Sequence, residues 1–276
     1  MPIRIAEGCA NVARRFRQAL LLLATLSGIA NAPFACAMDY SLPAGDPFNL
    51  SDNATGVWLL MSGAILPGDY QKLLDFLRVH VIDITGKAIV ITSQGGDVAE
   101  AIRIGKFIKS TYVPVVVGPR YGRCASACFI IFASSAQRVS MGGLVGIHRP
   151  SLKPDSLRRL PQMEAQREEA QLSHNLAQYL HSLGVSEQLT DEMLASAPKS
   201  MHWLSNDELA QLGERAPWYE QLLIARCGLD TRKETAAKRS HDRYLDLWMQ
   251  SVRDCASRIT IPDAEAHLRA ALNEKT

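Results

Sequence analysis

Through the middle of the chain, short unbroken apolar runs alternate with segments whose apolar residues recur at helical spacing. The runs are Val57-Trp58-Leu59-Leu60-Met61, Ala88-Ile89-Val90-Ile91-Thr92 and Pro114 to Gly118, each of the length and continuity expected of a strand buried on both faces. Asp69 to Val79 places Leu73, Leu74, Phe76 and Leu77 at helical spacing. Val98 to Ser110 does the same with Ala101, Ile102, Ile104, Phe107 and Ile108. Ala127 to Ala133 is apolar throughout and predicts a short, wholly buried helix, and Gln137 to Val139 and Leu144 to Ile147 predict two more short strands. Strand–helix alternation of this kind predicts an α/β layered core.

From Ser156 onward the texture becomes polar and helical. Leu157 to Leu183 predicts one long amphipathic helix with Pro161 in or near its first turn, and Ser186 to Ala195 a shorter one. Ser205-Asn206-Asp207-Glu208 has capping-box spacing ahead of Leu209 to Leu212, with Gly213 as the stop. Beyond lie helices over Trp218 to Arg226, Thr231 to Ala256 and Pro262 to Leu272. Their mixture of Trp218, Tyr219, Tyr244, Leu247 and Trp248 with many charges suits packing on the core or on a neighbouring subunit.

With 276 residues, 47% hydrophobic and 21% charged, the chain is too apolar to be disordered and too interrupted by charge to span a membrane repeatedly. The net charge of +2 is unevenly placed: Arg4, Arg14, Arg15 and Arg17 against Glu7 give residues 1–37 a balance of +3, which leaves the remainder at −1. A near-neutral body has no electrostatic footprint for nucleic acid. Arginines followed by an uncharged run, Ala19 to Ala37, and by small residues at cleavage spacing read as a signal peptide. Cleavage after Ala37 or after Ala32 fits. An uncleaved leader would instead anchor the chain to the membrane. Either way the body is exported, most simply to a bacterial periplasm.

Six cysteines occur, and Cys9 and Cys36 fall in the leader. The other four suit disulfides in an oxidising compartment. Cys227 and Cys255 bracket a charged helical segment and form one candidate pair. Cys124 and Cys128 can pair if the first precedes a helix and the second lies inside it; alternatively both pack as small apolar residues. Two cysteines without a second nearby pair make a poor zinc site, so no metal is expected. No cofactor is expected either.

Two places suit chemistry. Gly95-Gly96 lies between a buried strand and a helix, where the backbone turns sharply and N–H groups point outward. Gly122-Arg123-Cys124-Ala125-Ser126-Ala127-Cys128 leads into the all-apolar helix, with Ser126 at its start, either as a helix cap or as a nucleophile. His148 ends an apolar strand, a position that structural histidines also take. In order, Ser93-Gln94-Gly95-Gly96, Cys124-Ala125-Ser126-Ala127-Cys128 and Ile147-His148-Arg149-Pro150 resemble the Clp protease proteolytic subunit family of the ClpP/crotonase-like superfamily. His202-Trp203-Leu204-Ser205 with Gly213 resembles a later segment of that family. The resemblance covers about Val57 to Gly213, and export with a C-x-S-x-C motif is similar to a periplasmic branch of the family.

The resemblance implies a layered fold of repeated ββα units over residues 56–216. Before it lie a leader (1–37) and a lead-in (38–55), and after it an all-helical extension (217–276). It also implies a serine peptidase or hydrolase in which Ser126 is the nucleophile and His148 the general base. The N–H groups of Gly96 and Ala127 would form the oxyanion hole, and the substrate would be an extended peptide or another acyl compound. A homo-oligomer is a further implied possibility. Where the family carries its aspartate, this chain has Met201, so the third triad member is unknown. Asp191, Glu192 or Asp207 are nearby substitutes, and a serine–lysine pair finds only Lys153 and Lys199. The alternative is a catalytically silent peptide-binding or scaffold module. A crotonase-type acyl-CoA enzyme is the third reading, and export argues against it.

Overall fold

β-Branched runs form the centre of the molecule, and the helices between them pack against one another over the sheet. The computed structural model describes residues 37–42, 59–80, 87–118, 122–152, 154–240 and 242–273, the side chains of Pro154 and Ser156 excepted. The signal-peptide reading of residues 1–37 thus falls almost wholly outside the described residues, as do Cys9, Cys36, Val57, Trp58, Lys153 and most of the lead-in.

The elements follow in chain order. They are β1 (Asp39–Ser41), β2 (Leu59–Ser62), α1 (Asp69–His80), β3 (Ile89–Thr92), α2 (Val98–Ser110), β4 (Val115–Val117), β5 (Arg123–Ala125), α3 (Ala127–Ser134), β6 (Arg138–Ser140) and β7 (Leu144–Ile147). One sheet has the order β1-β2-β3-β4-β6, parallel except for β1, which runs antiparallel to β2. The architecture is α/β, as the alternation predicts. Ile89, Ile91, Val115 and Val117 meet Ile104, Ile108, Phe129 and Phe132 in the core, each at most 1% exposed. Burying each such side chain stabilises the fold by about 1.5–3 kcal/mol.

A smaller sheet adjoins the end of β3. In it β5 pairs parallel with β7, and β7 antiparallel with β8 (His202–Trp203). Both β5 and β8 escape a pattern reading, because two or three residues carry no periodicity. The sheets meet at Ser93, just past β3. Its N–H donates to Arg123 O at 2.7 Å, and its carbonyl accepts from Ala125 N at 3.0 Å.

The long helix predicted over 157–183 is two helices, α4 (Pro154–Arg159) and α5 (Gln162–Ser182). Pro161 separates them, because it lacks an N–H and forces the preceding residue out of helical backbone. Next come α6 (Glu187–Ala195) and α7 (Asn206–Leu212), the latter opened by the expected capping box between Ser205 and Glu208 and closed at Gly213. The helix expected over 231–256 is also divided, into α9 (Thr231–Arg239) after α8 (Pro217–Cys227), then α10 (Arg243–Asn273). Asp242 caps the second piece by accepting from Tyr244 N at 2.8 Å.

The helix expected to start at Pro262 does not start there, since α10 runs through that proline. Packing on both sides holds it: Thr260 and Ala264 are buried, and Tyr112 Oη donates to Asp263 at 2.7 Å. The far end of α10 returns to the main core, where Arg78 Nε donates to Leu272 O at 2.9 Å. A second apolar cluster, including Ala216, Tyr219, Leu223 and Val252, lies beneath α8 and α10. Among the described residues, no helix is long and apolar enough to cross a membrane.

One buried cation joins three helix ends. Arg138, 3% exposed, donates to Ala133 O, Leu183 O and Leu212 O at 2.8 Å each. These carbonyls close α3, α5 and α7, where the helix dipoles are negative. Burial still lowers the guanidinium to about 10.

Candidate active site

β5 runs into α3 with a single residue between them, Ser126, so the chain must turn there sharply. It does so at φ 58° and ψ −125°, and Ser126 is one of only two non-glycine residues with positive φ among those described. Such a conformation costs on the order of 1–3 kcal/mol. The cap reading of Ser126 fails on this geometry. An N-cap needs extended backbone to bring its oxygen onto the first helical N–H groups, and Ser126 makes no such bond. Its side chain is half-buried. Its own N–H donates to Gly146 O at 2.9 Å, which fixes the turn against β7.

The Gly95-Gly96 turn lies against this elbow. A Cβ on Gly95 would stand 2.6 Å from Ser126 Cβ and 2.9 Å from Ala127 N, and one on Gly96 would stand 2.0 Å from Ile65 O. With φ of 91° and 150° besides, only glycine fits at either position. Gly95 N–H donates to Ser93 Oγ at 3.0 Å, and Gly95 O accepts from Ile65 N at 2.9 Å. Asp97 N–H donates to Ile65 O at 2.8 Å, while Asp97 Oδ1 caps α2 by accepting from Glu100 N at 3.0 Å. The N–H of Gly96 takes part in none of these bonds. Ala127 N–H opens α3, at the positive end of that helix. The role of Ser93 Oγ is legible only once the turn is seen.

His148 follows directly on β7 and is half-buried. Its Nδ1 lies 2.8 Å from Arg149 O. A ring N–H donating there leaves Nε2 with the lone pair. Among the described residues, neither Ser126 Oγ nor any carboxylate is hydrogen-bonded to His148.

The β7–β8 register pairs Gly146 with Trp203 and Ile147 with His202, so the next residues in line are His148 and Met201. Met201 Sδ lies 2.7 Å from where a Gly146 Cβ would be, on the face that Gly146 shares with His148. A thioether thus occupies the flank where the resemblance calls for a carboxylate. Asp191 and Asp207 are exposed, and Glu192 is gathered with Glu208 around His202.

Both candidate pairs are joined, so Cys124 and Cys128 do more than pack as small apolar residues. Cys124 and Cys128, both fully buried, join across Ser126 with their Cα atoms 5.1 Å apart. Cys227 and Cys255 tie the end of α8 to α10, with Cα atoms 5.6 Å apart. Disulfides persist in oxidising compartments.

No family model matches the chain, and no curated protein matches it. Among solved structures, ClpP1 from Listeria monocytogenes is similar at 20% identity and a TM-score of 0.43, over 57% of this chain and 88% of its own. A mutant of the 1510-N membrane-bound stomatin-specific protease is similar at 18% identity and a TM-score of 0.40, over 62% of this chain and 83% of its own. A second mutant of that protease, in complex with a substrate peptide, matches at 18% identity and a TM-score of 0.36, over 53% and 65%. At these scores the similarity adds nothing to what the site's own geometry supports.

Proposed function

We propose that the chain is an exported serine hydrolase, a peptidase of the periplasm, whose nucleophile is Ser126. The observation that carries this reading is the strained strand-to-helix turn at Ser126, with Gly95 pressed against it. A turn of that kind presents a serine hydroxyl beside the N–H of the following residue, as in nucleophile elbows. Strain at a non-glycine residue persists where function or the surrounding structure demands it.

In this reading Ser126 Oγ attacks an acyl carbon, and His148 Nε2 takes the hydroxyl proton and returns it to the leaving group. The N–H groups of Gly96 and Ala127 hold the developing oxyanion. The Arg149 carbonyl keeps His148 in the required tautomer but supplies no charge for the imidazolium. The substrate is an extended peptide or another acyl compound, and the chemistry asks for no cofactor. Residues 1–37 serve as the export signal, 38–55 as a lead-in, 56–216 as the hydrolase domain and 217–276 as a helical extension. Two disulfides suit the compartment.

Labelling the purified mature protein with a fluorophosphonate, read by intact mass, tests the reading. Wild type is expected to gain one adduct, and Ser126→Ala and His148→Ala none. One observation favours a second reading, a silent peptide-binding module: Met201 stands where an acid is needed, and loss of the triad acid costs on the order of 10⁴ in kcat. Absence of any adduct on wild type would support that module.

A further inference from the structure

Glu192 in α6, His202 in β8 and Glu208 in α7 bring three metal-ligating side chains together, each from a different element. One donor atom from each lies within 4.8 Å of the others, and all three residues are half-buried. His202 is paired with Ile147, so it points to the face of β8 opposite Met201 and away from the flank of His148. His202 therefore faces away from the Ser126–His148 pair proposed above. Nothing in their sequence spacing announces them.

We propose that Glu192, His202 and Glu208 form a binding site for a divalent transition cation, with zinc the ion they fit best. One imidazole nitrogen and two carboxylates balance a double positive charge, and three protein ligands leave a fourth tetrahedral position for water. Calcium and magnesium require about six or more oxygens, and this set offers too few. Ligand bonds of about 2.1 Å put tetrahedral donors roughly 3.4 Å apart. His202 Nε2 and Glu208 Oε1, now hydrogen-bonded at 2.5 Å, would separate by about 1 Å on this geometry, the cation taking the place of the hydrogen bond.

The surroundings already aim these groups. Ser205 N–H and Ser205 Oγ hold the other oxygen of Glu208 at 2.6 and 2.7 Å, which leaves Oε1 directed at His202. Gln188 Nε2 donates to Glu192 Oε1 at 3.2 Å. Outer contacts of this kind orient ligands in metal sites. The cation would join α6, β8 and α7. The chain on either side of His148 depends on those elements: Ile147 is paired with His202, and Arg149 N–H donates to Ser196 O, just past α6, at 3.1 Å. Zinc here braces the segment that carries His148.

The test uses the full chain stripped with a chelator, then titrated with zinc against a chromophoric competitor and with cobalt(II) read by its visible absorption. One equivalent should bind, with a tetrahedral cobalt spectrum. Glu192→Gln, which preserves the capping box, should weaken binding at least about tenfold. Asp191→Asn, an exposed neighbour, should leave it unchanged. Uptake that Glu192→Gln does not alter, or no stoichiometric uptake at all, overturns the site. Fluorophosphonate labelling of the same samples reports on Ser126 separately, so failure of either reading is seen without the other.

Discussion

The N–H of Ser126 donates to the carbonyl of Gly146 at 2.9 Å, so the proposed nucleophile is pinned to the strand that leads into His148. What that strand lacks is an acid on its neighbour. Met201 is next in register with His148 and half-buried, so an aspartate at 201 would reach the imidazole without deep burial. Met201→Asp is therefore expected to raise the fluorophosphonate labelling rate at Ser126 by tenfold or more, a small part of the roughly 10⁴ such an acid contributes in full triads. An unchanged rate would place the fault elsewhere than the missing carboxylate.

The Cys124–Cys128 bridge closes the chain over Ser126. Replacing both cysteines by alanine removes a constraint worth about 2 kcal/mol for so short a loop. It also frees the turn to relax toward ordinary backbone. Denaturant unfolding should show the loss of stability, and labelling of Ser126 should slow even where the variant remains folded. Labelling at the wild-type rate would make the bridge a staple only.

Arg138 should tolerate little. Arg138→Met would leave the carbonyls of Ala133, Leu183 and Leu212 buried without their donor. Each lost charge-assisted bond is worth about 1.5–3 kcal/mol, so a loss of at least 3 kcal/mol is expected in urea unfolding. A variant within 1 kcal/mol of wild type would contradict the account of this buried cation.

Alkaline pH should loosen the C-terminal helix. Burial, then the hydrogen bond to Asp263, raise the Tyr112 hydroxyl from 10.0 to about 12. A phenol with a raised folded value contributes stability in full below about 10 and loses it as pH climbs to about 12. Thermal melts from pH 9 to 12 should fall over that window, and Tyr112→Phe should flatten the fall. An equal fall in both proteins would assign it to other groups.

Much of the fold is legible in the chain because burial writes itself as continuous apolar runs. Val98 to Ser110 is read to the residue, since Asp97 caps it and its periodicity is unbroken. The misreadings come from prolines and from short strands. Pro161 ends a helix, whereas Pro262 does not, because the contacts of Thr260, Asp263 and Ala264 are tertiary and invisible locally. The break before α10 did carry a signal, in Asp242 as a cap. At the site, sequence order singles out Ser126, His148 and the glycine turn. The positive φ of Ser126 emerges only from the structure, while Met201, already at the resemblance's acid position in the sequence, is set next in register with His148 by the strand pairing.

The passage of one strand between two sheets has a dynamic consequence. β3 pairs with β2 and β4 in the first sheet, and its continuation at Ser93 pairs with β5 in the second. A fluctuation that parts the glycine turn from Ser126 therefore works against the Ser93 bonds to Arg123 and Ala125, which join the two sheets. Hydrogen exchange at Ser93 and Ala125 should occur only through global unfolding, while the exposed ends of α9 exchange by fraying. The glycine turn and Ser126 are then expected to open together rather than separately.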